Sequence, residues 1–268
     1  MDIENLINEV CVLAREVGKF QLDEISNVSP KNIEEKELNS LVSFVDKESE
    51  KQLVNALRDL LPSAGFITEE DTVDDEAKEY TWIIDPLDGT TNYLNRLPHF
   101  AISIALMQND ILLAGVVYDP SMDECFHAIK DKGAFLNDTP IHVSKKKNLS
   151  NALIVTGFPY TNTYDIEAYM RIVKYWLRNT RGIRRLGSAA LDLVYVAAGR
   201  LDAYYEATLN QWDLAAGALI VKEANGIVTD LDGKDAFLEK GSVIATSPDL
   251  FLQVYEPIQK SLSRVIEN

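Results

Sequence analysis

The stretch WIIDPLDGTTNY occupies residues 82–93 and joins an apolar strand to a turn that carries two aspartates. Pro86 fixes the backbone φ angle and removes one N–H donor, and Gly89 permits a tight turn. The carboxylates of Asp85 and Asp88 can therefore converge on one point across that turn. Residues 90–92 are typical of the first turn of a short helix, whose N–H groups, with that of Gly89, would form an anion site. In isolation, the two aspartates could equally be ordinary turn residues.

Further acids stand at the ends of predicted elements. Glu69 and Glu70 end a strand, Asp213 opens a helix, and Asp46 follows an extended segment. Carboxylates brought together repel by roughly 4 kcal/mol per pair at about 4 Å and an effective dielectric constant near 20, and a divalent cation removes that penalty. Oxygen ligands with only three histidines in the chain favour Mg²⁺, or else Mn²⁺ or Ca²⁺, over Zn²⁺. A metal cluster beside an anion site indicates metal-assisted hydrolysis of a phosphate ester.

Two long motifs carry a family resemblance. WIIDPLDGTTNY (82–93) and WDLAAGALIVKEANGIVTD (212–230) together resemble the two signatures of the inositol monophosphatase family, within the Mg²⁺-dependent, Li⁺-sensitive phosphatases. The acidic pair at 69–70, GSAALDL at 187–193 and DAYYEA at 202–207 extend the similarity over nearly the whole chain. Two long motifs in the right order make a chance match very improbable.

The resemblance implies a fold and a domain organisation. The expected fold mixes α+β and α/β features in a layered αβαβα sandwich of the inositol monophosphatase and fructose-1,6-bisphosphatase type. Residues 1–268 would form a single domain, with sub-halves of about 1–148 and 149–268. Members of the family are commonly homodimers, so a homodimer is expected here.

The resemblance also implies the metal ligands. Glu69, Asp85 and the backbone carbonyl of Leu87 match the ligands of a first Mg²⁺, and Asp85, Asp88 and Asp213 match those of a second. Glu69 also faces the position of a weaker third ion. The expected cofactor is therefore two to three Mg²⁺ ions, with Mn²⁺ as an alternative and with Li⁺ and Ca²⁺ as inhibitors.

The remaining site residues are implied in the same way. The N–H groups of Gly89 and Thr90 match those that hold the phosphate, and Asp46 with Thr90 matches a pair that orients the attacking water. Glu69 is expected to help polarise that water, which would attack phosphorus in line without a covalent intermediate. Glu206 matches a carboxylate that binds substrate hydroxyls, and Ala189 lies in the segment that lines the same pocket.

The expected activity is hydrolysis of a small phosphate monoester, with inositol monophosphate as the leading substrate. Related enzymes hydrolyse the 2′-phosphate of NADP or fructose 1,6-bisphosphate, and the metal motifs do not distinguish these substrates, because they contact the phosphate and not the alcohol. A non-catalytic role in transcription complexes is a second alternative. The only feature that favours it is a basic cluster of Arg178, Arg181, Arg184 and Arg185, which could also bind a second anionic group or lie at a dimer contact.

Composition limits the classes of partner. The 268 residues include 42 acids and 26 lysines and arginines, a formal net charge of −16. This charge argues against direct binding of nucleic acid or of an anionic membrane. No apolar run is long enough for a transmembrane helix, and the acidic start MDIENLINEV does not fit a signal peptide. Cys11 and Cys125 show no metal-type spacing and are expected to be reduced, semi-buried thiols in a cytoplasmic protein.

Hydrophobic periodicity predicts the order of the elements. A helix over 1–20 is followed by a loop over 23–39, and Asp46 is predicted to cap a second helix that ends near Leu61. Strands are expected at 65–70, 80–85, 100–107, 111–119 and 124–130, the last three as an antiparallel meander. The second half is predicted to alternate strands at 152–158, 202–207, 227–230 and 242–247 with helices at 164–178, 184–199, 212–226 and 248–263.

Overall fold

The structure is a computed structural model that describes residues 2–27, 33–37, 40–70, 72, 78–159 and 165–262, with the backbone alone over 33–37 and 40–42. The described helices are α1 (Ile3–Glu24), α2 (Phe44–Leu60), α3 (Thr90–Leu94), α4 (Ile166–Asn179), α5 (Ala189–Ala197), α6 (Gln211–Glu223), α7 (Phe237–Lys240) and α8 (Phe251–Leu262). Within these residues, no helix combines the length and the apolar content that crossing a membrane requires.

A seven-stranded sheet forms the first half, in the order β3-β4-β5-β6-β7-β8-β9. Strand β3 runs parallel to β4, and every later pair is antiparallel. The strands are β3 (Gly65–Thr68), β4 (Tyr80–Asp88), β5 (Ala101–Gln108), β6 (Ile111–Asp119), β7 (Glu124–Ile129), β8 (Ala134–Leu136) and β9 (Thr139–Pro140). The predicted meander is confirmed as β5-β6-β7.

A five-stranded mixed sheet forms the second half, in the order β11-β10-β12-β14-β13. Strand β10 is parallel to both neighbours, whereas β14 is antiparallel to β12 and β13. The strands are β10 (Leu153–Thr156), β11 (Gly182–Arg184), β12 (Ala203–Ala207), β13 (Ile227–Thr229) and β14 (Ser242–Thr246), and a separate hairpin pairs β1 (Ile33–Glu37) with β2 (Ser40–Ser43).

Alternation along the strands explains how the layers stack. In β4, Trp82 and Ile84 pack with α1 and α2 on one face of the large sheet, while Ile83 packs with α5 and α6 on the other. Helices α5 and α6 lie between the two sheets, and α4 and α8 cover the outer face of the small sheet. The result is the predicted αβαβα order of layers, which confirms the fold class.

The central layer depends on a close approach of helix to strand. A Cβ atom at Gly115 in β6 would lie 2.8 Å from the backbone oxygen of Ala216 in α6. The segment of α6 at this contact reads AAGA over 215–218, so small side chains let the helix lie against the sheet. This packing holds the first turn of α6, which carries Asp213, close to the end of β4.

Several of the predicted boundaries are wrong. The predicted loop over 23–39 contains the end of α1 and strand β1, which pairs with β2 despite its charged sequence IEEKE. The helix predicted over 184–199 begins only at Ala189, because Arg184 ends β11 and Ser188 caps the helix. Asp46 does not cap α2; Ser43 does, and Asp46 is the third helical residue.

Candidate active site

Three aspartates from distant parts of the chain converge at the end of β4. The carboxylate oxygens of Asp85, Asp88 and Asp213 lie within 4.8 Å of one another. The carboxyl group of Glu69, just beyond the end of β3, lies beside that of Asp85 and raises its pKa. The structure thus brings together three of the four acids that the sequence predicted as one cluster, with the fourth, Glu69, next to Asp85.

A β-bulge places Asp85 and Asp88 on the same side of the turn. Asp85 pairs with Ser103 of β5, but Ala101 pairs with Asp88, so β4 contains one extra residue at this point. The backbone N–H of Leu87 donates a 2.9 Å hydrogen bond to Oδ1 of Asp85, which closes the turn. Both carboxylates can therefore face one point although they are three positions apart, a spacing that places side chains on opposite faces of a regular strand.

Gly89 is required by the backbone immediately after the bulge. Its φ angle of +95° lies in the left-handed region, and it caps the N-terminus of α3. A Cβ atom there would lie 3.1 Å from the carbonyl oxygens of both Gly187 and His99. The start of α3, at Thr90, is thereby held directly beside Asp88.

Asp88 is held by the N-terminus of α5. Its Oδ2 accepts hydrogen bonds from the hydroxyl of Ser188 at 2.6 Å and from the N–H of Ala190 at 2.7 Å. Ser188 also caps α5. These contacts join the large sheet of the first half to the helical layer of the second half, and they fix the orientation of the carboxylate.

Asp213 is held by its own helix. It is the third residue of α6, and its Oδ2 accepts a 2.6 Å hydrogen bond from the N–H of Asn210, the N-cap residue. The sequence predicted that the helix opens at Asp213, and this is wrong by two residues. The geometry is that of a capping box, in which the third residue reaches back to the cap.

The cluster is electrostatically unfavourable without a counter-charge. Burial, followed by the charges of Glu69, Asp88 and Asp213, raises the pKa of Asp85 well above its ordinary value. Burial and the charges of Asp88 and Glu69 likewise raise the pKa of Asp213. The three aspartates offer only carboxylate oxygens as ligands at this spacing. Such hard oxygen ligands fit Mg²⁺.

A second polar group lies on the α2 side of the bulge. Asp46 is 1% exposed, and its Oδ2 accepts hydrogen bonds from the N–H and the hydroxyl of Ser43. The Thr90 hydroxyl lies 3.0 Å from Oδ1 of Asp46 and 3.0 Å from the carbonyl oxygen of Leu87. Burial raises the pKa of Asp46, and the Ser43 and Thr90 hydrogen bonds counter that rise.

A small cavity opens on the other side of the aspartates. Its volume is about 100 Å³, and its lining residues are Asp88, Gly157, Arg185, Gly187, Ser188, Ala189, Glu206, Leu209 and Asp213. The Glu206 carboxylate accepts a 2.6 Å hydrogen bond from the Tyr204 hydroxyl. Burial raises the pKa of Glu206 to about 7, although the Tyr204 hydrogen bond and the charge of Arg185 oppose that rise.

Known proteins match this chain along its whole length. The sequence profile of the inositol monophosphatase family matches residues 2–263. The chain belongs to the inositol monophosphatase family. Family members act on small phosphorylated substrates and in general depend on Mg²⁺.

Individual family members carry two kinds of name. The chain is 39% identical to the Nus factor SuhB of Pseudomonas aeruginosa, over 97% of this chain and 98% of that protein. It is 37% identical to the inositol-1-monophosphatase of Mesorhizobium japonicum, over 96% and 97% of the two chains. The solved structure of the IMPase of Thermotoga maritima is 32% identical and superposes with a TM-score of 0.89, covering 99% of this chain and 100% of that one.

Within this family site, the structure adds residues that sequence motifs did not single out. Gly157 is one, because a Cβ atom there would lie 1.7 Å from Oε1 of Glu206. Tyr204 and Ser188 are two more, since each hydrogen-bonds a predicted site carboxylate. Both lie inside the segments 202–207 and 187–193 that carried the resemblance, which is the signal that could have found them. Of the arginine cluster, only Arg185 lines the cavity.

Proposed function

We propose that this chain hydrolyses a small phosphate monoester in a Mg²⁺-dependent reaction, with inositol monophosphate as the substrate. The observation that carries the proposal is the convergence of Asp85, Asp88 and Asp213 within 4.8 Å, beside the start of α3 and a small cavity. The name of the M. japonicum relative supports the choice of substrate.

The proposed ligand set follows the predicted one. Glu69, Asp85 and the Leu87 carbonyl would hold one Mg²⁺, and Asp85, Asp88 and Asp213 another, with a weaker third ion near Glu69. When bound, the ions would activate water and neutralise charge on the phosphate and the leaving oxygen. Mn²⁺ as a substitute and inhibition by Li⁺ and Ca²⁺ are parts of the same proposal.

The chain's own groups would position the reactants. Thr90, hydrogen-bonded to Asp46, would orient the attacking water and Glu69 would help to polarise it, while the N–H groups of Gly89 and Thr90 would hold the phosphate oxygens. Glu206 and the segment at Ala189 would contact the alcohol, because both line the cavity beside Asp88 and Asp213. Attack in line without a covalent intermediate inverts the configuration at phosphorus, and observed retention would contradict this mechanism.

The cavity supports a small alcohol. Its lining places Glu206 and Ala189 beside Asp88 and Asp213, where the alcohol of a small phosphate ester would lie. A panel of inositol 1-phosphate, fructose 1,6-bisphosphate, NADP and adenosine 3′,5′-bisphosphate, assayed for phosphate release with Mg²⁺ and with or without Li⁺, tests the order of preference. The proposal expects the highest kcat/KM for inositol 1-phosphate, and release from none of the four would refute it.

A role in transcription complexes is the second candidate. The 39% identity to the Nus factor SuhB of P. aeruginosa favours it, as do the exposed side chains of Arg178, Arg181 and Arg184. The net charge of −16 favours a protein partner over direct RNA contact. Co-purification with transcription proteins, and rescue of a deletion phenotype by a catalytically inactive variant, would support this role over the enzymatic one.

The proposal also includes a homodimer and a cytoplasmic location. Sedimentation equilibrium of the purified chain tests the first, with a mass of about twice 30.0 kDa expected. Cell fractionation tests the second.

The two cysteines are free thiols in the described structure, as predicted, and both are buried rather than semi-buried.

A further inference from the structure

Helix α2 presents a buried stripe of polar side chains to the active-site region. Asp46, Ser49 and Glu50 lie on one face of the helix, and each is at most 1% exposed. Burying three polar side chains without partners would be unfavourable, so each must be satisfied by a specific contact. Asp46 contacts Thr90, as described above, and the other two contact different segments of the site.

Glu50 contacts the turn that follows β3. Its Oε2 accepts a 2.8 Å hydrogen bond from the N–H of Glu70, and its Oε1 accepts hydrogen bonds from the N–H of Thr72 at 2.8 Å and from the Thr72 hydroxyl at 2.7 Å. Three donors thus converge on one fully buried carboxylate. The residue adjacent to Glu70 is Glu69, the acid that reaches Asp85.

Ser49 contacts the bulge of β4 through one intermediate. The side-chain amide of Gln21, on α1, donates to the Ser49 hydroxyl at 3.2 Å and to the carbonyl oxygen of Pro86 at 2.7 Å. The same stripe on α2 is therefore connected to three parts of the site: directly to the Thr90 hydroxyl and to the backbone at Glu70, and through Gln21 to the bulge at Pro86.

The turn that carries Glu69 needs such an anchor for an electrostatic reason. The Glu69 carboxyl group lies beside that of Asp85, and in the absence of a cation the two groups repel each other when both are ionised. The backbone after β3 could relieve that repulsion by moving outward. Hydrogen bonds from its N–H groups to a rigid, buried acceptor prevent the movement.

We propose that Glu50 is a positioning residue that holds the backbone at Glu70 and at Thr72, so that Glu69 stands preorganised for metal binding. The inference rests on the proposed function only in taking the acidic cluster as a Mg²⁺ site. Glu50 itself touches neither the substrate nor the aspartates in this account, and it acts through the backbone of the turn.

The test is Mg²⁺ binding to the purified full chain, measured by isothermal titration calorimetry without substrate. Residues that orient metal ligands change metal affinity by about 10- to 100-fold when they are replaced, so Glu50→Gln is expected to weaken Mg²⁺ binding by that factor. The matched control is Glu48→Gln, which changes an exposed glutamate on the same helix and should leave the affinity unchanged. At saturating Mg²⁺, the kcat of Glu50→Gln should recover towards the wild-type value.

A merely structural role would give a different pattern. If Glu50 were only structural, Glu50→Gln would lower the melting temperature and the amount of folded protein, but the folded fraction would still bind Mg²⁺ with wild-type affinity. That result would overturn the proposal. If Glu50→Gln does not fold, Thr72→Val removes one of the three donors and should weaken Mg²⁺ binding by about two- to fivefold. Unchanged affinity in Thr72→Val would then count against the proposal.

The same data separate this inference from the proposed function. If Glu50→Gln loses Mg²⁺ affinity and the wild-type chain hydrolyses none of the phosphate esters, the positioning role stands and the enzymatic proposal fails. If the wild-type chain binds no Mg²⁺, the positioning role fails as well.

Discussion

The Thr90 hydroxyl lies 3.0 Å from Oδ1 of Asp46, a residue 44 positions earlier in the chain. The contact joins the first turn of α3 to the first turn of α2, across the bulge that carries Asp85 and Asp88. The Thr90 hydroxyl has one proton, which Oδ1 of Asp46 or the carbonyl oxygen of Leu87 can accept. In the proposed mechanism, Thr90 would pass this proton to ionised Asp46 and would take one from the attacking water.

Thr90→Val tests that pair. We expect kcat to fall by at least about a hundredfold, because the valine keeps the shape of threonine but removes the hydroxyl that positions the water. KM for the phosphate ester and Mg²⁺ affinity should change much less. Steady-state kinetics check this, with Thr91→Val as the matched control, since Thr91 is the exposed neighbour on the same short helix. Equal activity of the two variants would contradict the role of Thr90.

Asp88→Asn tests the cluster itself. The asparagine retains an oxygen for Ser188 and Ala190, so the fold should persist, but a charged metal ligand is lost. We expect activity to fall by at least about a hundredfold, as for other groups that stabilise transition-state charge directly. Asp59→Asn, an exposed acid on α2, is the control, and its kcat/KM should match that of the wild type. Wild-type turnover in Asp88→Asn would show that Asp88 is not a ligand.

The pH dependence of stability follows from the buried acids. Burial and neighbouring acids raise the pKa of Asp85 and of Asp213 above 3.8 in the folded state. A group with a raised folded-state pKa contributes stability below its unfolded pKa, near 4, and loses that contribution as the pH rises through the folded value. We therefore expect the melting temperature of the chain in EDTA to fall as the pH rises above the unfolded value near 4.

Mg²⁺ should reverse this loss, so its stabilising effect is expected to be larger at the higher pH. Each kcal/mol of unfolding free energy corresponds to a shift of about 2–4 °C in the melting temperature of a domain of this size. Asp85→Asn should raise the melting temperature in EDTA and lose the response to Mg²⁺, whereas Asp138→Asn, at an exposed turn, should behave as the wild type. A melting temperature in EDTA that is flat or rises over this pH range would argue against a repelling cluster.

Glu206 should give the site a second pH dependence. Its pKa is raised from 4.5 to about 7, so the carboxyl group changes charge near neutral pH. If the ionised form accepts hydrogen bonds from substrate hydroxyls, KM should fall as the pH rises through about 7. Glu206→Gln should abolish this dependence of KM on pH. The pH dependence that comes from ionisation of the substrate phosphate should remain. An identical profile in the variant and the wild type would exclude Glu206 from substrate binding.

The sequence predicted most of the site because its acids sit in contiguous motifs. Asp85, Asp88 and Gly89 lie within five residues, and the bulge that turns both carboxylates to one side is built from the same segment. The structure brings Asp213 beside Asp85 and Asp88, as the family resemblance implied, although the start of its helix was misread. Both caps could have been read from Ser43 and Asn210, each of which precedes the acid by three residues in a capping-box pattern.

The contacts that span long distances in sequence could not be predicted in this way. Glu50 meets Thr72, and Ser188 meets Asp88, only because helices α2 and α5 pack against particular strand ends. An isolated glutamate on a helix has no local pattern that distinguishes a buried anchor from a solvated side chain. The misread loop over 23–39 has a similar cause, since β1 is charged and its pairing with β2 is not signalled by alternation.

The most direct test of the central claim is phosphate release from inositol 1-phosphate by the purified chain, measured with Mg²⁺ and again with EDTA. The account predicts release that requires Mg²⁺, is inhibited by Li⁺ and is abolished by Asp88→Asn. Mg²⁺-independent release, or no release in a preparation that calorimetry shows to bind Mg²⁺, would contradict it.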